Sequence, residues 1–270
     1  MNTKRPTPDP ELNAVLQELV TGIRAVLGDN FIAAYLQGSF AVGDWDAYSD
    51  VDFLIAIDRE LSETDLPALN AMHARIYDLE SHWAKHLEGS YFPKEILKHG
   101  DRARTPLLYL DNTSRELIRS GHDNELVVRW VVREYGIILA GPGPKALIDP
   151  VSAEDLRREV SATMRDWAKE IFAGRYPVNN RWAQPFVVLS YCRMLHTLET
   201  GRIGSKPAGA QWAKRALDDR WAGLIARAWD ERPNPSLKVR QPTDPGDLQS
   251  TLNFIKYALD VSGQFEGAKP

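Results

Sequence analysis

The sequence predicts an α/β (α+β) protein in two parts, a mixed sheet with helices over residues 1–150 and an all-helical bundle over residues 151–270. Three observations carry this. Short apolar runs of strand length alternate with helical stretches as far as Ala140. After Asp149-Pro150 every periodic stretch has helical spacing. Between them Val51 to Ile57 alternates strictly, with Val51, Phe53, Ile55 and Ile57 on one face and Asp50 and Asp52 on the other.

Taken in order, residues 1–9 are polar and proline-rich and read as a loose tail. Pro10 to Leu27 places Leu12, Val15, Leu16, Leu19, Val20, Ile23 and Val26 at helical spacing, with one buried face. Phe31 to Leu36 and Val51 to Ile57 are two strands. Thr64 to Lys85 reads as one long helix. His86 to Phe92 is a third strand, stopped by Pro93, and Leu107 to Leu110 a fourth. Glu125 to Tyr135 is helical, and Gly141-Pro142-Gly143-Pro144 is a turn. The second part reads as helices over 153–173, 185–200, 207–217, 219–230 and 246–262. Ser152 with Asp155 resembles a helix-start box.

Composition excludes several classes. The chain has 270 residues, 43% hydrophobic and 26% charged, as in ordinary globular proteins. Net charge is −4, from 33 basic and 37 acidic residues, which argues against non-specific nucleic-acid binding. The single Cys192 can form neither an internal disulfide nor a cysteine zinc site, and reads as a small core residue. No apolar stretch approaches the roughly 20 residues that span a bilayer. The N-terminus lacks an apolar signal core, so a cytoplasmic location is the expectation.

The chemistry concentrates in Gly38-Ser39, ten further residues, then Asp50-Val51-Asp52. Gly38 lets the backbone come close to phosphates. Ser39 adds an N–H and a hydroxyl at a predicted helix start, which favours anions. Asp50 and Asp52 point the same way and offer hard oxygens suited to Mg²⁺, which takes one or two carboxylates plus phosphate oxygens. Gly43 and residues 44–49 let the chain turn back between the two halves. Either fragment alone is an ordinary surface turn. Joined by two strands, they fit transfer of a nucleotide from a triphosphate.

This spacing resembles the signature of the DNA polymerase beta-like nucleotidyltransferase superfamily. Arg193, with Glu199-Thr200-Gly201-Arg202-Ile203-Gly204-Ser205-Lys206, is similar to the helical C-terminal domain of aminoglycoside adenylyltransferases of the streptomycin and spectinomycin type. Arg133 to Pro142, followed by Asp149-Pro150, resembles the same family's domain junction. The resemblance spans roughly residues 30–260. It implies a nucleotidyltransferase domain over 1–150 and a helical C-terminal domain over 151–270. It also implies ATP and Mg²⁺, and adenylyl transfer to a hydroxyl of a small molecule with release of pyrophosphate.

The resemblance assigns roles residue by residue. Asp50 and Asp52 become the metal ligands. Glu88 becomes the general base on the acceptor hydroxyl; read alone, it is a strand-start glutamate facing solvent. Gly38 and Ser39 hold the triphosphate. Lys206, at a helix start opened by Pro207, contacts phosphate, against the alternative of a solvated lysine. Arg193 lies off the predicted core stripe of Val187, Tyr191, Met194, Leu195 and Leu198, and becomes an active-site contact, or else a surface ion pair. Tyr257 contacts the nucleotide or simply packs. Ser49 either bonds a phosphate or caps the turn before Asp50. His122-Asp123-Asn124 reads first as a helix cap.

One departure concerns the acceptor. Aminoglycosides are polycations, yet no Asp or Glu lies between Glu170 and Glu199, where the streptomycin-type enzymes carry an acid. The stretch Asn179-Asn180-Arg181-Trp182 stands there instead. Asp46, Glu95, Asp111 and Asp123 are other carboxylates able to build an acceptor pocket. Alternative readings are the same transfer to a protein, a lincosamide-like drug or a metabolite, and a non-catalytic antitoxin-like module that binds a partner chain. A polymerase fits least, because no basic run is present to track a strand.

Overall fold

The computed structural model describes residues 5–101, 103–232 and 241–265. The chain divides into two compact units, Met1–Val151 and Ser152–Pro270.

The first unit opens with α1 (Pro10–Leu27). The Asp9 carboxylate starts it by accepting from the Glu11 and Leu12 amides at 2.8 and 3.0 Å. The segment before it is not loose throughout. Thr7 is buried, and its amide and hydroxyl bond the Asn13 side chain. Asp9 is also fixed by Trp83 Nε1 at 2.9 Å. The part of the expected tail over residues 1–4 lies outside the described residues.

Six strands follow: β1 (Phe31–Leu36), β2 (Val51–Ile57), β3 (Leu87–Pro93), β4 (Leu107–Leu110), β5 (Leu117–Ser120) and β6 (Ile137–Ala140). They form one mixed sheet in the order β5-β4-β3-β2-β1-β6. Only the central β2–β3 pair is parallel. The alternation read at 51–57 is observed. Val51, Phe53, Ile55 and Ile57 join one core with α1 and α3 (Leu66–Tyr77). Leu54 and Ala56 join another with Tyr35, Phe92, Leu97 and Val132, covered by α4 (Lys94–His99) and α5 (Leu126–Tyr135).

One expectation is corrected here, and one strand has no counterpart in the sequence reading. The helix expected over 64–85 ends at Tyr77, and residues 83–85 form a separate short turn. Lys85 Nζ takes the carbonyls of Tyr77 and Leu79, and Trp83 leaves helical register to pack edge-on to Phe40 and Trp45. Tertiary aromatic contact overrides helix propensity at this point. Strand β5 carries no apolar alternation. Only Leu117 in it is buried, and Ile118 is half exposed, so the periodic signal for a strand is missing.

The second unit holds α6 (Ala153–Phe172), α7 (Ala183–Thr200), α8 (Lys206–Ala216), α9 (Ala222–Glu231) and α10 (Pro245–Ser262). Ser152 caps α6 as read, accepting from the Asp155 amide at 3.0 Å. The helix expected from 219 begins at Ala222, after a short turn at Asp219–Trp221. Helix α7 packs against α6, α8, α9 and α10. It is therefore buried on most faces rather than along one stripe. Val188, Leu189 and Cys192 are buried, and Met194 is only partly so. Burial pushes the Cys192 thiol up to about 12, as befits an inert core residue. Among the described residues no helix is long and apolar enough to cross a membrane.

Candidate active site

Strand β1 delivers the chain to Gln37, whose amide donates to the Asp52 carbonyl at 2.8 Å. Gly38 opens the short helix α2 (Gly38–Val42) with a φ of 60°. A side chain here is excluded twice over. The backbone is left-handed, and a Cβ would lie 1.9 Å from Asp52 Oδ2. Glycine thus lets the turn sit directly against the Asp52 carboxylate. Ser39 Oγ is buried and has no hydrogen-bond partner among the described residues, the state expected of a hydroxyl whose partner is a ligand.

The return loop is braced by aromatics, with Phe40 stacked on Trp45 at 5.0 Å. Its last turn is closed by Ser49. The Ser49 hydroxyl accepts from the Asp46 amide at 2.9 Å, and its own amide donates to the Asp46 carbonyl at 3.0 Å. Of the two readings of Ser49, the structure displays the capping bond.

Strand β2 then carries Asp50 at its edge and Asp52 within it, both partly exposed. In the parallel β2–β3 pair the register partner of Asp52 is Glu88. Register partners in neighbouring strands project from the same face, so Asp52 and Glu88 share a face at the start of the central strand pair, with Asp50 two residues before Asp52. Among the described residues no group of three or more His, Cys, Asp or Glu side chains is arranged as a metal cage. The donor set instead fits Mg²⁺ of the kind completed by phosphate oxygens, for which one or two carboxylates suffice.

Glu88 is strongly perturbed. Burial pushes its carboxyl up to about 7, and the charges of Asp50 and Asp123 push the same way. The Tyr109 hydroxyl and His122 pull it back. Tyr109 donates to Glu88 Oε1, and His122 Nε2 lies 3.5 Å from the same oxygen. Tyr109 also reaches Asp111 Oδ1 at 3.2 Å. A carboxylate balanced near neutrality is the condition a general base requires.

Several neighbours were missed from the sequence. Tyr109 was read only as part of an apolar strand, although it is the one polar side chain in Leu107–Leu110. Asn112 donates its amide to Asp50 Oδ1 and was not singled out. Asp123 was read first as a helix cap. The N-cap position of α5 is Glu125, with no side-chain capping bond. Asp123 accepts instead from Ser90 Oγ at 2.7 Å and is buried, which raises its pKa.

In the second unit, Arg193 Nε donates to the Gly204 carbonyl at 3.2 Å, tying it to the turn that carries Lys206. Gly209 of α8 lies against the Arg193 backbone, where a Cβ would be 2.9 Å from its Cα. Lys206 is the first residue of α8, after the Ser205 cap, and its Nζ lies 5.6 Å from the Phe186 ring centre. Tyr257 is held elsewhere. Its hydroxyl accepts from the Asp218 amide at 3.2 Å, and its ring meets Trp221 and Arg220.

The comparisons follow this division. Residues 22–107 match the nucleotidyltransferase domain, and residues 146–256 match the C-terminal domain of aminoglycoside adenylyltransferase. The aminoglycoside (3'') (9) adenylyltransferase of Escherichia coli is 25% identical over 232 residues, covering 81% of this chain and 84% of that protein. The spectinomycin 9-adenylyltransferase of Staphylococcus aureus is 23% identical over 238 residues, covering 76% and 86%. The crystal structure of spectinomycin adenyltransferase AAD(9) from Enterococcus faecialis with ATP and spectinomycin superposes with a TM-score of 0.67 at 14% identity, over 92% of this chain and 98% of that one. That likeness establishes the shared fold. With both domain models matched in order along the chain, this protein belongs to the aminoglycoside adenylyltransferase family of nucleotidyltransferases.

Proposed function

We propose that this enzyme transfers AMP from ATP to a hydroxyl of a small acceptor of the aminoglycoside or spectinomycin type, releasing pyrophosphate. The observation that carries this is the Asp52–Glu88 register pair beside the Gly38 turn. It sets a carboxylate suited to Mg²⁺ abreast of a carboxyl pushed up to about 7, which supports this reading. The relatives named above are adenylyltransferases for such acceptors.

Each residue then has a physical task. Gly38 and Ser39 present backbone and hydroxyl to the triphosphate. Asp50 and Asp52 hold Mg²⁺, which when bound neutralises phosphate charge. Glu88 removes the proton from the acceptor hydroxyl as its oxygen bonds the α phosphorus. The bond from that phosphorus to the bridging oxygen breaks, and pyrophosphate leaves. Tyr109, bonded to Oε1, leaves Oε2 of Glu88 for the acceptor. Arg193 and Lys206 serve as triphosphate contacts, while the Tyr257 hydroxyl is already engaged by the Asp218 amide.

The acid-free stretch between Glu170 and Glu199 favours an acceptor less cationic than streptomycin. Arg181 and Trp182 within it are both exposed, Arg181 lying 3.7 Å from Glu231 Oε1 and Trp182 stacked on Phe186. Pyrophosphate release with ATP and Mg²⁺ across spectinomycin, streptomycin and other aminoglycosides, with a no-drug control, tests the proposal. Release with spectinomycin, and loss of it in Asp50→Ala and Asp52→Ala with the fold retained by circular dichroism, is the expected result. Unchanged turnover in either variant overturns it.

A further inference from the structure

The starts of β2 and β3 are closed into a ring of hydrogen bonds around Asp50. The Val51 amide donates to the His86 carbonyl at 2.8 Å. The His86 side chain bonds Asn112 through Nδ1 and Oδ1 at 3.0 Å. Asn112 Nδ2 then donates to Asp50 Oδ1. The backbone just after Asp50 and the carboxylate of Asp50 are thereby referred to one histidine.

The chemistry of the ring selects its members. An amide oxygen only accepts, so His86 Nδ1 must carry the proton. The amide nitrogen only donates, which is what a carboxylate takes. Asparagine is therefore matched to bridge a ring N–H and a carboxylate. Aspartate would set acceptor against acceptor, and leucine would remove both bonds. The histidine is itself braced. Its ring lies 4.5 Å from that of His82, whose Nε2 meets the Ala47 carbonyl at 3.1 Å, in the loop that leads into Asp50.

We propose that Asn112 is a positioning residue for the metal-bound triphosphate, fixing Asp50 through Oδ1 so that Oδ2 is presented to the cation, with His86 holding the amide in the correct sense. This rests on reading Asp50 as a metal ligand. Partners that orient metal-binding side chains commonly change metal affinity by about 10- to 100-fold. Nothing in the Gly-Ser and Asp-x-Asp spacing points to Asn112, because the contact crosses from the loop after β4.

The test measures Mn²⁺ and ATP binding to the full chain without acceptor, using the paramagnetic signal of free Mn²⁺ and tryptophan fluorescence. Asn112→Leu and Asn112→Ala are expected to weaken Mn²⁺-ATP by about 10-fold or more while leaving metal-free ATP within about twofold. In an Asp50→Asn background the Asn112→Leu change should have no further effect on Mn²⁺-ATP. Two results overturn the inference. One is wild-type Mn²⁺-ATP affinity in both Asn112 variants. The other is an equal loss with and without metal, which marks a general fold defect. If the wild-type chain binds no Mn²⁺-ATP, the metal-ligand reading of Asp50 and Asp52 falls, and this inference falls with it.

Discussion

The acids of the sheet and the cations of the helical unit are held by different kinds of structure. Asp52 and Glu88 are placed by strand register, and the surroundings of Glu88 alter its chemistry. Glu88 is crowded by Tyr109, His122, Asp50 and Asp123, and its carboxyl rises to about 7. Arg193, Lys206 and Tyr257 are placed by helix packing. Arg193 bonds a turn carbonyl, Lys206 begins a helix over Phe186, and Tyr257 bonds the Asp218 amide. Chemical tuning is thus concentrated in the sheet unit. The helical unit offers fixed cations on a rigid frame.

The strongest way to break this contrast is Glu88→Gln. It should lower kcat by about 10²- to 10⁴-fold, the range for loss of a general base. The wild-type rate should rise with pH through about 7 as Glu88 loses its proton, and this limb should vanish in the variant. Stability gives an independent reading. The folded-state value of Glu88 lies above its ordinary 4.5, so the folded chain holds the proton more tightly. Metal-free stability from this group is full below 4.5 and is lost as pH rises through about 7. Thermal melts of wild type and Glu88→Gln across that window should diverge accordingly. Parallel curves would remove Glu88 from the role.

Gly38→Ala should rank next. The added methyl meets Asp52 Oδ2 and a left-handed backbone, and such strain costs on the order of 1–3 kcal/mol. Activity should fall more than stability, because the group displaced is the Asp52 carboxylate. An active, normally stable variant would show that the turn does not need its close approach.

Lys206→Ala should leave chemistry nearly intact and raise the KM for ATP. Loss of one hydrogen bond to a charged group is worth about 1.5–3 kcal/mol, or roughly 10- to 100-fold. An equal loss in kcat would place Lys206 among the residues that act on the reacting bond. Tyr257→Phe should have the smallest effect. It removes only the bond from the Asp218 amide, worth about 1 kcal/mol or less at a site this open. A large rise in ATP KM would move Tyr257 from packing to nucleotide contact.

Much of the sheet unit was legible in the chain. The 51–57 alternation separates Val51, Phe53, Ile55 and Ile57 from Asp50 and Asp52 by local geometry alone. The Gly38-Ser39 turn is equally local. What escaped reading depended on partners far along the sequence. Trp83 breaks an apparently continuous helix because its ring is needed against Phe40 and Trp45. Strand β5 forms at a sheet edge where one face is wet and apolar alternation carries no signal. Asp123, on a stretch that reads as a cap, is drawn to Ser90 across 33 residues of sequence.

By itself the sequence determined the two-part pattern of elements, the shared face of Asp50 and Asp52 and the glycine turn before them, because each rests on residue types at short, fixed spacings. Only the tertiary structure decided that Glu88 stands abreast of Asp52, that its carboxyl is pushed up to about 7, and that Tyr109 and Asn112 attend the two acids. Strand register and burial set those facts. Both arise from pairing between segments 21 to 62 residues apart, and no local pattern encodes such distances.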